Sequence, residues 1–135
     1  MAQAEIYKLM GHNGDRVSMK VADASTIAKG DICVLGDPFT VTAATTNVDV
    51  PVVGVAAEEK VANDGVVWID VITNAILKVT VVAGGSATIG DHVSLSATAG
   101  QVDLSSSLDN EKGWSLGFSY EDGAAGHTIL VRMNK

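Results

Sequence analysis

The chain has 135 residues, a formal net charge of −7 and 47% hydrophobic residues, of which only six are aromatic. That length fits one domain, or two very small ones sharing a core. Its nine basic residues are scattered from Lys8 to Lys135, which argues against direct nucleic-acid binding, because neutralising phosphates takes a concentrated basic surface. Asp70 and Lys78 interrupt the most apolar region, so no stretch approaches the ~20 apolar residues that span a bilayer. The opening MAQAEIYKLMGHNG lacks the basic start and apolar run of a secretory signal, and synthesis in a cytoplasm is expected. The only cysteine, Cys33, lies in the apolar run ICVL; it forms no internal disulfide and reads as a small buried hydrophobe.

Nineteen Val, eight Ile and ten Thr give an excess of β-branched side chains, which are stiff at χ1 and suit a pleated surface. Strands should therefore dominate. Glu5 to Met10 is a first strand or an arm, the Asn13-Gly14 turn follows, and Val17 to Val21 reads as the return strand of a hairpin. Gly30-Asp31 opens the strand ICVL, which ends at Gly36-Asp37-Pro38. A Thr- and Ala-rich connection leads to Pro51. The runs VVGVA and VVWIDVIT, separated by Asn63-Asp64-Gly65, are apolar enough for central strands. In AILKVTVV, Leu77, Val79 and Val81 alternate with Ile76, Lys78 and Thr80, a period of two. HVSLS, a turn at Ala99-Gly100, and QVDLS suggest a further hairpin. Only residues 105 to 113, SSSLDNEKG, carry helix-start chemistry, and they allow no more than a turn or two.

Two segments about 60 residues apart carry the same landmarks in the same order. The first has Gly30-Asp31, ICVL, VVGVAAEE, then Gly65 and VVWIDV; the second has Gly90-Asp91, HVSL, SLGFSYED, then Gly126 and HTILVRM. The expected fold is all-β, a compact β-barrel or β-sandwich built from a duplicated β unit, with little helix. Residues 1–21 form an arm or first hairpin. Residues 22–135 form a single β domain with two similar halves, about 25–83 and 84–135. The glycine inside the strands VVGVA and SLGFS marks a bulge or a close backbone approach.

Several motifs invite a chemical reading. Gly113-Trp114-Ser115-Leu116-Gly117 fits the G-x-S-x-G elbow, with Asp122 and His127 downstream. The elbow needs a helix after the serine, whereas FSYED and another strand follow, and under the duplication Ser115 takes the place of Val52. No catalytic residue is expected. His12, His92 and His127 are isolated, Glu58, Glu59, Asp64 and Glu121 lack a calcium-loop pattern, and no metal or cofactor is expected. Gly84, Gly85 and Gly90 are not followed by the Lys-Ser/Thr of a phosphate loop. Trp68 and Trp114 suit either a partner-binding hot spot or core packing.

The order KGDICVLGD, VPVVGVAAEE, DGVVWIDVITNAILKV, ATIGDHVSLSATAGQV and GWSLGFSYEDGAAGHTILVRM resembles the phage capsid cement, or head decoration, proteins. It covers about Gly30 to Arg132. The segment VVGVAAEE through AILKV more loosely resembles the head protein D family of lambda-like phages. The resemblance implies a homotrimer, made in the host cytoplasm, that sits on the outer capsid surface of the virion, binds the major capsid protein and stabilises the shell. It further implies an N-terminal capsid-contact arm that includes Ile6, Tyr7, Leu9 and Met10. The alternative expectation is a β-rich module that binds a receptor or a carbohydrate, around Trp68 or Trp114.

Overall fold

The computed structural model describes residues 4–44, 50–96, 98, 101–105 and 114–135. All the regular elements among them are strands. The strands β2 (Val17–Val21), β3 (Ile32–Asp37), β4 (Thr40–Ala43), β5 (Val52–Ala56) and β6 (Trp68–Ile72) close into a barrel in the order β2-β4-β3-β5-β6. A second ring joins β7 (Asn74–Val81), β9 (His92–Leu95), β10 (Gln101–Leu104), β11 (Ser115–Ser119) and β13 (Thr128–Asn134), in the order β7-β10-β9-β11-β13, and pairing of β7 with β13 closes it. The short strands β8 (Ser86–Ala87) and β12 (Gly123–Ala124) pair with each other.

The two barrels share one strand order and the same registers at their main pairings. Parallel β2–β4 pairing, Lys20 opposite Thr40 and Val21 opposite Val41, recurs as parallel β7–β10 pairing, Thr80 opposite Gln101 and Val81 opposite Val102. Cys33 faces Ala43 and Gly54 across its two neighbours, as Val93 faces Leu104 and Gly117. Both copies slip register at the same place. Cys33 pairs with Gly54 and Val34 with Val52, leaving Val53 as the bulge; Val93 pairs with Gly117 and Ser94 with Ser115, leaving Leu116. The strand glycines thus do mark bulges.

The Gly-Asp turns are also duplicated, with a reason in their hydrogen bonds. Asp31 Oδ2 accepts from Ala28 N–H at 2.9 Å, and Asp91 Oδ2 from Thr88 N–H at 3.0 Å. The glycine before each carries a positive φ, 91° at Gly30 and 87° at Gly90, a conformation that costs glycine little. Duplication therefore extends from sequence through turn chemistry to topology.

Each copy closes its own barrel. Inward alternation places Met19, Val21, Cys33, Val41, Ile69 and Val71 inside the first, with Ile27 and Ala56. Leu77, Val79, Val81, Val93, Val102, Ile129 and Val131 belong to the other cluster. Ile32, Val34, Val52 and Val55, which alternate away from the first barrel's interior, are buried in that same second cluster. A continuous apolar core so joins the two barrels.

Three expectations need correction. The N-terminal segment forms β1 (Glu5–Leu9), yet it pairs antiparallel with β7 rather than with Val17–Val21. The hairpin reading fails because the turn around Asn13-Gly14 carries the chain from one barrel to the other: Gly14 O accepts from both Thr73 N–H and Asn74 N–H, at the junction of β6 and β7. Second, AILKVTVV does not belong to the first half: β7 is the opening strand of the second copy, the counterpart of β2, so the repeat runs β2–β6 and β7–β13. Third, the Thr- and Ala-rich connection contains β4. The helix start in residues 105–113 and the turn at Ala99-Gly100 fall largely or wholly outside the described residues.

Candidate interaction surface

None of the six aromatic side chains belongs to the buried core. Tyr7 and Phe39 are each 56% exposed, Trp68 51% and Tyr120 40%, while Trp114 and Phe118 are half-buried. Aromatic rings bury the largest apolar area of any side chains, so a core that excludes all six is built from aliphatic groups alone. Phe39 and Trp68 meet edge to face, with centroids 6.1 Å apart and planes at 63°. Trp68 opens β6 opposite Lys20, and Lys20 N–H donates to Phe39 O at 3.2 Å, so β2 holds both residues in place. Val66 and Val67, expected within a central strand, instead precede β6 and are exposed. Phe39 has a φ of 55°, a left-handed conformation that a bulky residue adopts only at a cost.

A second aromatic row lies on the other barrel. His92, Phe118 and Tyr120 form a chain of ring contacts, 6.0 Å and then 5.3 Å between centroids. Phe118 takes the place of Val55. The outer positions held by buried Ile32 and Val55 in the first barrel are thus held by exposed His92 and half-buried Phe118 in the second. Sequence reasoning singled out the two tryptophans and missed Phe39, Phe118 and Tyr120. The signal was the alternation of Phe118 and Tyr120 on one strand face.

The N-terminal candidates are split by the strand they form. Ile6 packs against the core, Tyr7 and Leu9 are exposed, and Met10 is half-buried. Tyr7 stands at a register slip between Ile6 and Lys8, and Lys78 Nζ lies 5.6 Å over its ring. Ala4 N–H donates to Gly30 O at 2.9 Å, so the segment ties the first barrel to the second.

The remaining motifs resolve into bonds that hold the fold. Ser115 is buried in β11, its hydroxyl 3.2 Å from Val93 O and 3.3 Å from Gly117 O. Asp122 Oδ1 accepts from Ile89 N–H at 2.8 Å. Glu58 and Glu121 play one part in both copies, accepting the N–H of Asp70 (3.0 Å) and of Leu130 (3.3 Å). Glu59, His12 and His127 are exposed. Burial pushes the Cys33 thiol up to about 12, which keeps it protonated and unreactive. Among the described residues, no three His, Cys, Asp or Glu side chains converge as a metal site.

Lys60 is fully buried, a position the sequence did not reveal. Its ammonium donates to Val61 O (2.6 Å), Asp64 Oδ1 (2.7 Å) and Asp23 O (2.8 Å), and is 3.4 Å from Asp23 Oδ1. The bond from Lys60, followed by that from Val66 N–H, holds the Asp64 carboxyl below its ordinary range. Basic residues scattered in sequence also meet in space: His92, Arg132 and Lys135 line one cleft of about 310 Å³ beside Phe118. Arg132 donates there to Asn74 Oδ1 and Met133 O, and Lys135 to Ser115 O at 2.6 Å. Arg132 and Lys135 thus fasten the end of β13.

No protein-family model matches the chain, and no curated protein matches it. Among solved structures, it is similar to the N base of the head fiber protein gp8.5 of bacteriophage phi29. The likeness has 15% sequence identity and a TM-score of 0.47, and covers 88% of this chain and 92% of that one. Both figures are too low for it to bear on function.

Proposed function

We propose that the chain is a non-catalytic structural protein of a virion, which binds the outer surface of a viral capsid through its exposed aromatic residues and stabilises the shell. The observation that carries this reading is that none of the six aromatic side chains enters the buried core of the duplicated scaffold and that four of them, Tyr7, Phe39, Trp68 and Tyr120, are exposed. Tryptophan and tyrosine are the residues most enriched where partners bind, and edge-to-face pairs such as Phe39–Trp68 present a rigid apolar face at low conformational cost. Of the polar groups that suggested chemistry, Ser115, Asp122, Glu58, Asp64 and Glu121 are engaged in hydrogen bonds that hold the fold.

The resemblance to the cement proteins supplies the partner, the major capsid protein, and a trimeric state. A trimer lets three modest contacts act together, so avidity exceeds the affinity of each. The test is a heat challenge of mature, undecorated capsids from the virus that encodes the chain, with genome release as the readout. Release shifted to higher temperature by saturating protein supports a cement role. Binding with no change in release removes that role and leaves the receptor- or carbohydrate-binding reading, for which the same Phe39–Trp68 pair is a suitable platform.

A further inference from the structure

The internal repeat exposes one position where the two barrels differ. In the second barrel, β10 reaches only the end of β7, at Thr80 and Val81, and the earlier part of that edge is covered by β1: Glu5 opposite Lys78, Ile6 opposite Leu77, Lys8 opposite Ile76, Leu9 opposite Ala75. In the first barrel, β4 likewise reaches only the end of β2, at Lys20 and Val21. The earlier part of that edge, Arg16 to Ser18, pairs with no strand among the described residues. The side chains record the difference. Leu77, opposite Ile6 of β1, is 0% exposed, while its counterpart Val17, which also alternates inward, is 42% exposed and lines a cleft with Pro51, Val52, Val53, Thr73, Asn134 and Lys135.

The main chain of this edge points outward. Lys20 N–H is directed to β4, where it bonds Phe39 O, and strand alternation gives Ser18 and Arg16 the same direction. Such an edge is a template for another strand. We infer that the β2 edge at Arg16–Ser18 takes an antiparallel extended segment donated by a different protein, with an apolar residue opposite Val17 and acidic residues opposite Ser18 and Arg16.

Charge selects the donor. Arg16 and Lys20 flank Ser18 on this edge of a chain whose net charge is −7. The chain's own β1 fits β7, where Lys8 faces Ile76, but in the same register on β2 it would set Lys8 against Arg16. Like charges directly opposite one another destabilise a strand pair. A second copy's β1 is therefore the wrong occupant, and an acidic–apolar strand is the right one.

The test uses the full chain and two synthetic peptides, Ala4–Met10 and its Lys8→Glu variant, with amide hydrogen exchange as the readout. The Lys8→Glu peptide is expected to bind roughly threefold or more tighter than the native one and to protect the Arg16 and Ser18 amides. Arg16→Glu, an exposed change that does not threaten folding, is expected to reverse the preference. Absence of protection with either peptide overturns the inference. So does protection of Ile76 and Lys78 instead, which reports exchange of β1, or protection of Arg16 and Ser18 on concentrating the chain alone, which reports self-pairing.

Discussion

Gly54 and Gly117 hold the same place in the two barrels, and each lies so close to the neighbouring strand that a Cβ would overlap a main-chain carbonyl, that of Ile72 in one and of Arg132 in the other. The repeated bulge depends on this contact. Gly54→Ala and Gly117→Ala are each expected to lower stability by about 2–3 kcal/mol, because backbone rather than a flexible side chain must move. Gly36→Ala, whose nearest neighbour would be Thr42 Cγ2 at 3.6 Å, should stay within roughly 0.5 kcal/mol. Urea denaturation of the three variants checks the contrast.

Lys60→Met keeps the buried stem but removes the ammonium from Asp64 and from the carbonyls of Asp23 and Val61, while Asp64 keeps the N–H groups of Val61 and Val66 and the Asp23 carbonyl keeps that of Asn63. Breaking a buried pair costs roughly 3–5 kcal/mol, and water still reaches Asp23 and Asp64, with 45% and 29% of their side chains exposed. A loss of about 2–3 kcal/mol is expected by the same denaturation measurement.

Acid should destabilise the fold through two carboxylates. Asp15 is held below its ordinary value of 3.8 by the Asn74 side-chain hydrogen bond and then by His12 N–H, and Asp64 below the same value by Lys60 and then Val66 N–H. A folded value below the unfolded one means that the contribution is complete above pH 3.8 and is lost as pH falls through the lowered folded values. Thermal midpoints measured downward from about pH 6 should fall most steeply below about pH 4. The Asp15→Asn, Asp64→Asn double variant should show a shallower acid decline.

Much of this architecture was legible because its determinants are local. The Gly-Asp turns could be read from sequence since one side chain closes each turn, and the alternation Leu77, Val79, Val81 since an inward face must be apolar. Strand partners were less legible. Nothing in AILKVTVV says that it pairs with Glu5–Leu9 and Thr128–Asn134 rather than with the strand before it, because pairing depends on distant register. Lys60 is one of nine scattered basic residues and its second-copy counterpart is Gly123, so no pattern announced the buried ammonium. The sequence marks Tyr7 and Trp68 as contact candidates, but Trp68 reads equally as core, because Val66-Val67-Trp68 looks like core when only hydrophobicity is read, and Phe39, Phe118 and Tyr120 were missed.

Phe39 separates stability from binding. Its positive φ costs about 1 kcal/mol or more for a residue bearing a Cβ, and glycine adopts it freely. Phe39→Gly is therefore expected to be as stable as the parent or up to about 1 kcal/mol more so, while removing half of the aromatic pair with Trp68. Calorimetry checks the first part; weaker capsid binding would be the second.

The most direct test of the central claim is co-sedimentation of the purified chain with mature, undecorated capsids, counting bound copies per capsid subunit for the parent and for a Phe39→Ala, Trp68→Ala variant. The account predicts saturation at a fixed ratio for the parent and at least tenfold weaker binding for the variant, the rough equivalent of losing one hot-spot pair. Absence of parent binding to intact mature shells, or equal binding by the variant, contradicts it.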